Sequence, residues 1–157
     1  MKIILLLTGK TTEKYIIEGV ANYLERISRF ANFEIITIPG LKNTGNMTIE
    51  EVKCKEGRQI LNSLTDADYI VLLDERGKQL RTIELAQELE QWLMKPVKRI
   101  VFITGGAWGV SEEVYKKADN VLSLSRMTFP HQMVRLLFIE QLYRALSIIK
   151  GTPYHHE

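Results

Sequence analysis

The sequence predicts one α/β domain over residues 1–157, with a mostly parallel sheet and helices on both faces. Three observations carry this reading. Short apolar runs such as Ile3 to Leu7, Ile70 to Leu73 and Ile100 to Ile103 fill consecutive positions, as in strands buried on both sides. Between them lie longer segments in which apolar residues recur every three or four positions, the helical period. The two kinds alternate along the chain, an order that a right-handed parallel sheet satisfies. At 157 residues the chain is long enough to bury a core without disulfides or metals.

Taken in order, Lys2 to Leu7 reads as a central strand closed by Gly9. From Thr12 the pattern turns helical, with Tyr15, Ile16, Val20, Tyr23, Leu24 and Ile27 on one stripe. Phe33 to Ile38 is the second strand, stopped by Pro39-Gly40, and residues 40–47 form a polar loop. Thr48 and Glu51 make a capping box for a one-sided, largely wet helix carrying Val52, Ile60, Leu61 and Leu64. Asp68 to Leu73 is the third strand, ending in the polar run Asp74-Glu75-Arg76-Gly77-Lys78. Thr82 is a plausible cap for the helix that follows, and Pro96 stops it.

Lys98 to Ile103 is the fourth strand, and Gly105-Gly106 permits a tight turn or close backbone approach. Ser111-Glu112 opens a short helix, and Asn120 to Leu124 is a short fifth strand. The last helix starts with Pro130 at a first helical position and runs to Ile149. Its apolar residues wrap nearly all the way round, more than a single sheet face requires, which points to a second copy of the chain as partner. Gly151 ends it, and Pro153-Tyr154-His155-His156-Glu157 reads as a frayed tail.

Composition excludes several classes. A hydrophobic fraction of 45% and a charged fraction of 25% are ordinary for a globular protein. The five-residue aliphatic start is too short for a membrane span or signal core, so the cytoplasm is the expected compartment. Lone Cys54 forms no internal disulfide, and His131, His155 and His156 show no metal-ligand spacing. There is no dinucleotide fingerprint after the first strand and no P-loop. A net charge of +2 permits an anionic partner without demanding one.

The loops after Leu73, around Gly105-Gly106, and from Leu124 to Phe129 leave strand carboxyl ends, where open parallel sheets bind ligands. Leu73, Leu124, Met127 and Phe129 suit an apolar wall for a flat ring, and glycines let backbone groups approach a ligand. Structural turns with a packed Met and Phe explain the same residues, and both readings stand at this level. His131 suits a capping or packing histidine. Arg135, on a mostly apolar helix, wants a carboxylate or phosphate. Glu140 lies four residues before Arg144 and pairs with it.

The segments Gly105-Gly106-Ala107-Trp108-Gly109, Leu124 to Arg135, Glu140-Gln141-Leu142-Tyr143-Arg144-Ala145 and Pro153-Tyr154-His155 closely resemble the bacterial RlmH family. So do Lys2-Ile3, Lys55-Glu56-Gly57 and Leu73-Asp74-x-x-Gly77, so the likeness covers essentially the whole chain. The resemblance implies a homodimeric SPOUT methyltransferase that uses S-adenosyl-L-methionine to methylate N3 of a pseudouridine in 23S ribosomal RNA. Assembled 70S ribosomes are the implied substrate, with no part for DNA or membrane. It implies a trefoil knot within residues 100–150, which hold the dimer helix as well. It places the cofactor on Leu73, Gly105 and Leu124, Ser125, Arg126, Met127, Thr128 and Phe129. It also implies that Tyr154 and His155 close over the site from the partner subunit.

Catalytic roles are expected for His155, Tyr154 and Arg135, with His155 as candidate proton acceptor and Arg135 or Arg126 facing developing negative charge. Lys10, Lys42, Lys78 and Arg81 are candidate RNA contacts. Arg81-Thr82 departs from the family pattern, where serines are common. The alternatives are a SPOUT methyltransferase for another RNA and a non-catalytic ribosome-binding protein.

Overall fold

The computed structural model describes residues 1–157. Five strands form one all-parallel sheet: β1 (Lys2–Thr8), β2 (Phe33–Ile38), β3 (Asp68–Gln79), β4 (Arg99–Thr104) and β5 (Asn120–Ser123), in the order β2-β1-β4-β3-β5. The helices are α1 (Lys14–Ile27), α2 (Ile49–Asn62), α3 (Thr82–Leu93), α4 (Glu112–Lys117) and α5 (His131–Ile149), with a 3-10 turn over Thr44–Asn46. The α/β class with helices on both faces is as expected.

Alternate residues of each buried strand supply two cores. Ile3, Leu5, Leu7, Val71 and Phe102 pack beneath α1, α3 and α5, whereas Ile4, Leu6, Leu72, Val101 and Ile103 pack beneath α2 and α4. A strand buried on both faces has no polar side to show, which is why its sequence reads as an unbroken apolar run.

Several boundaries differ from expectation, each for a local reason. β3 does not end at Leu73. It runs on to Gln79 after a register slip in which both Leu73 and Lys78 lie opposite Leu122 of β5. Residues 74–77 are thus looped out, and a Cβ on Gly77 would stand 2.6 Å from the Val121 carbonyl carbon. β5 stops at Ser123, leaving Leu124 in the loop. α1 starts at Lys14 rather than Thr12, because the Thr12 and Glu13 amides donate to Gln132 Oε1 of α5. Tyr15 falls outside the buried stripe and is exposed. Thr82 is the first helical residue of α3, not its cap; Arg81 precedes it and its amide donates to Glu84. Pro130 is the N-cap of α5, not a first-turn residue. Thr48 caps α2 as expected, accepting from the Glu51 amide at 3.1 Å.

Much of the apolar girdle of α5 is used within one chain. The sheet lies beneath the helix and α1 and α3 flank it, leaving Leu137 exposed and Met133, Val134, Leu136, Ile148 and Ile149 half-buried. The tail is not frayed: Tyr154 and His155 are half-buried against α1 and α5.

At the opposite end of the sheet from the strand-end loops, buried Asp68 accepts from Arg99 Nε at 2.6 Å and from the Thr65 amide at 2.8 Å. Burial pushes the Asp68 carboxyl up, but the hydrogen bonds and charge of Arg99 and the Thr65 amide outweigh it and hold the acid below its ordinary range. A depressed folded pKa gives stability that is present above the unfolded carboxyl pKa of about 4 and lost as pH falls below it. Asp68→Asn is expected to cost about 2 kcal/mol at pH 7, less than a fully buried pair because Arg99 is partly wet. The gap between the urea midpoints of wild type and variant should narrow as pH falls below about 4 and close only once pH is below the depressed folded-state pKa of Asp68.

Candidate active site

The carboxyl ends of β3, β4 and β5 border a cavity of about 490 Å³, within the usual range for a small-molecule site. Leu73 and Thr104 face each other across the β3–β4 pairing at its floor, and Leu73 also pairs with Leu122. Of the residues assigned by resemblance to the cofactor, Leu73, Gly105, Leu124, Ser125, Met127, Thr128 and Phe129 all line this one cavity. Arg126 is exposed beside it and does not line it.

One wall is the turn Gly105 to Gly109. It closes through the Gly109 amide donating to the Gly106 carbonyl at 3.1 Å, with Gly109 at φ +86°. That φ lies in the left-handed region, where a side chain costs about 1 kcal/mol or more. The turn folds back so far that a Cβ on Gly105 would lie 2.7 Å from the Gly109 carbonyl carbon. Trp108 stands exposed at the rim. The opposite wall is the loop after β5, pinned by Ser123 Oγ donating to the Ser125 carbonyl (2.9 Å) and the Met127 amide donating to Ser125 Oγ (3.0 Å).

Chemically the cavity is mixed. Leu73, Leu122, Leu124, Phe129 and Val134 offer apolar wall to a flat ring. Thr104 Oγ1, in the floor, is buried and has no hydrogen-bond partner. Such an orphaned hydroxyl costs on the order of 1–3 kcal/mol and suits a ligand that completes it. Asp74 is occupied by Arg76 (Nε–Oδ1 3.0 Å), which also reaches Glu112 at 3.3 Å and lies over the Tyr115 ring. No three His, Cys, Asp or Glu side chains gather as a metal site.

His131, the first residue of α5, also lines the cavity. Burial, and then the charge of Arg135 one turn on, hold its imidazole below its ordinary pKa. Arg135 itself is fully buried and turned towards the end of β1, where its Nη1 donates to Thr11 Oγ1 (2.9 Å) and its Nη2 to the Thr8 carbonyl (2.8 Å). Its Nε has no partner, no carboxylate meets it, and burial pushes its pKa down. It is not in the cavity wall.

Tyr154 and His155 lie elsewhere in the chain. The Tyr154 hydroxyl meets Tyr23 and Glu140 Oε1, each at 3.2 Å, with Arg144 over its ring. Burial first, then the Tyr23 hydrogen bond and the Glu140 charge, push the phenol pKa up. His155 Nδ1 is 3.5 Å from Arg144, and its Nε2 is buried without a partner. Arg81 pairs with Glu157, fastening the end of the tail. Reasoning from sequence did not assign Thr104, Trp108 or Lys53 to the site. Thr104 had one signal, a hydroxyl closing an apolar strand; Lys53 had none, because it sits among the charges of α2.

Residues 1–155 match the family described as "Predicted SPOUT methyltransferase". Among curated proteins, the ribosomal RNA large subunit methyltransferase H of Phocaeicola vulgatus is 48% identical over 157 residues, all of both chains. Those of Bacteroides fragilis (47%) and Flavobacterium johnsoniae (44%) are also similar over their full lengths. The relatives match the chain through the cavity loops and the tail alike, with no part left over, and on that footing the chain belongs to the RlmH family of SPOUT methyltransferases.

Proposed function

We propose that the protein uses S-adenosyl-L-methionine to methylate N3 of a pseudouridine in 23S ribosomal RNA, acting on assembled 70S ribosomes. The observation that carries this reading is the glycine-walled cavity at the ends of β3, β4 and β5, in a chain similar end to end to ribosomal RNA methyltransferases. The residues present fit the cofactor. The apolar walls suit its adenine, the turn at Gly105 brings backbone groups close, and the orphaned Thr104 hydroxyl offers a polar contact.

When bound, the cofactor supplies an already activated methyl group, so the chain's work is to position the acceptor nitrogen and manage its proton. Leu73, Gly105 and Leu124 to Phe129 would hold the donor, with Arg126 exposed at the edge for an RNA phosphate. Lys10 and Lys42 are exposed for the same role, whereas Lys78 and Arg81 are held in ion pairs with Glu88 and Glu157. Arg135 acts as a positioning residue, tying the Thr8–Thr11 segment to the start of α5.

A homodimer completes the site in this reading. Tyr154 and His155 lie outside the cavity of their own chain, so a tail that closes over it belongs to a second copy. Residues 100–150, expected to form the trefoil knot, hold two of the cavity walls and α5.

The test is transfer of radiolabelled methyl from S-adenosyl-L-methionine to free 23S RNA, 50S subunits and 70S ribosomes from cells lacking the endogenous activity. The expected outcome is label on one pseudouridine of 70S ribosomes, mapped by nuclease digestion. Label on another RNA would move the protein to a different substrate. Cofactor binding without transfer would make it a non-catalytic ribosome-binding protein.

A further inference from the structure

We propose that Glu56 of α2 makes the cavity selective for a cation, so that the donor S-adenosyl-L-methionine is held more tightly than its product, whose sulfur is uncharged. The inference rests on the methyl-transfer reading above and assigns a residue to the choice between donor and product. Glu56 does not line the cavity itself; it backs the glycine turn that does. A Cβ on Gly106 would stand 2.8 Å from Glu56 Oε2 and 3.1 Å from Oε1. The carboxylate thus reaches a wall residue with no side chain in between.

The packing of α2 holds it there. The next residue, Gly57, is buried against Ser111: a Cβ on it would stand 2.3 Å from Ser111 Oγ, the hydroxyl that caps α4. α2 therefore lies close against the segment from Gly105 to Ser111, and Glu56 is half-buried at that contact. What sets the side chain apart is its lack of a partner. Oε2 is buried and accepts no hydrogen bond. The cations of the cavity wall are engaged elsewhere, Lys53 with Glu50 at 3.7 Å and Arg76 with Asp74 and Glu112. Burial pushes the Glu56 carboxyl pKa up, and no hydrogen bond or neighbouring charge pulls it back.

A carboxylate taken out of water without a counter-ion costs stability, and a glutamine or methionine would fill the same space at less cost. The charge makes sense as half of a pair whose other half arrives with the ligand, because a nearby cation favours the ionised acid. No second acid joins Glu56 to form a metal site. The donor and its product share the adenosine and the amino-acid zwitterion; they differ by one methyl group and by the positive charge on sulfur. A field that senses this charge therefore separates the two. One unit charge about 10 Å from a carboxylate, at an effective dielectric of about 20, changes affinity roughly 10-fold. The attraction vanishes when the methyl leaves, so it retains the donor and does not hold the product.

The experiment is calorimetric binding of S-adenosyl-L-methionine, S-adenosylhomocysteine and sinefungin, whose ammonium replaces the methylated sulfonium, to wild type, Glu56→Gln and Glu56→Asp. Glu56→Gln keeps the shape and discards the charge. It should bind the two ligands that are cationic at this position roughly 10-fold more weakly, with S-adenosylhomocysteine affinity changed by less than about twofold. Glu56→Asp keeps the charge and should keep the ratio of donor to product affinity within about threefold of wild type, even where both affinities fall. An equal fall for all three ligands in Glu56→Gln overturns the proposal, by making Glu56 a mere support of the turn. So does an unchanged affinity for all three, or a ratio lost equally in the Asp and Gln variants. If wild type binds none of the ligands, the donor-site reading fails and this inference with it. The expected ratios without methyl transfer to ribosomes would uphold the inference and overturn only the ribosomal reading.

Discussion

Gly105→Ala is expected to remove methyl-donor binding while leaving the protein folded. The added Cβ would stand 2.7 Å from the Gly109 carbonyl carbon, 2.8 Å from its oxygen and 2.9 Å from Val110 Cγ1. Two of those neighbours are backbone, so the clash cannot be relieved by a rotamer change. The turn must open, and the turn is a wall of the cavity. Overpacking of this kind costs about 2–3 kcal/mol, an expected fall in Tm of roughly 5–10 °C for a chain of this size. S-adenosylhomocysteine affinity should fall by about 100-fold or more, on the order of 3 kcal/mol, as backbone contacts are lost together. Gly45→Ala is the control: nothing lies within 4 Å of its Cβ position, and both readouts should stay near wild type. Wild-type affinity in Gly105→Ala would show that the glycine-walled cavity is not the donor site.

Arg135 yields the second large effect, with its size depending on the replacement. A fully buried guanidinium without a carboxylate carries a desolvation cost of several kcal/mol, and two hydrogen bonds to neutral oxygens offset only part of it. Arg135→Ala removes those bonds, strands the Thr8 carbonyl and opens a void, for an expected loss of about 4 kcal/mol. Arg135→Met fills the space and discards the charge, and should stay within about 1 kcal/mol of wild type. Removing the cation should also raise the His131 pKa towards its ordinary value, which proton NMR of the imidazole will read. Equal destabilisation by Met and Ala would show that the charge, not the filled volume, holds this corner together.

Much of this architecture was legible in the sequence, for reasons that can be named. β1 and β4 are apolar on both faces, and Thr48 and Ser111 announce their helices by accepting from the Glu51 and Val114 amides. The cavity loops were legible because each combines the end of an apolar run with glycine or a turn-forming serine. The continuation of β3 was not. Asp74-Glu75-Arg76-Gly77-Lys78 is polar throughout, and its return to pairing depends on Gly77 passing the backbone of β5, a tertiary fact. The tail misled for a similar reason. Its partners Tyr23 and Glu140 are 131 and 14 residues away, and no local pattern joins them to Tyr154. His131 reads as a capping residue until Arg135 is seen beneath it and the cavity in front.

α5 joins the cavity wall at His131 to the tail anchored on Glu140 and Arg144. It does so with 19 residues, a rod of about 28 Å at 1.5 Å per residue. Such a rod is a gauge with a pitch. One residue added between His131 and Glu140 would turn everything beyond it by about 100°, carrying Tyr154, with Glu140 and Arg144, away from Tyr23 of α1 and the buried stripe out of the sheet. Insertions or deletions in this helix are therefore tolerable only in whole turns, and each whole turn would shift the tail by about 5.4 Å relative to the cavity. The helix can drift in sequence, but its length is quantised.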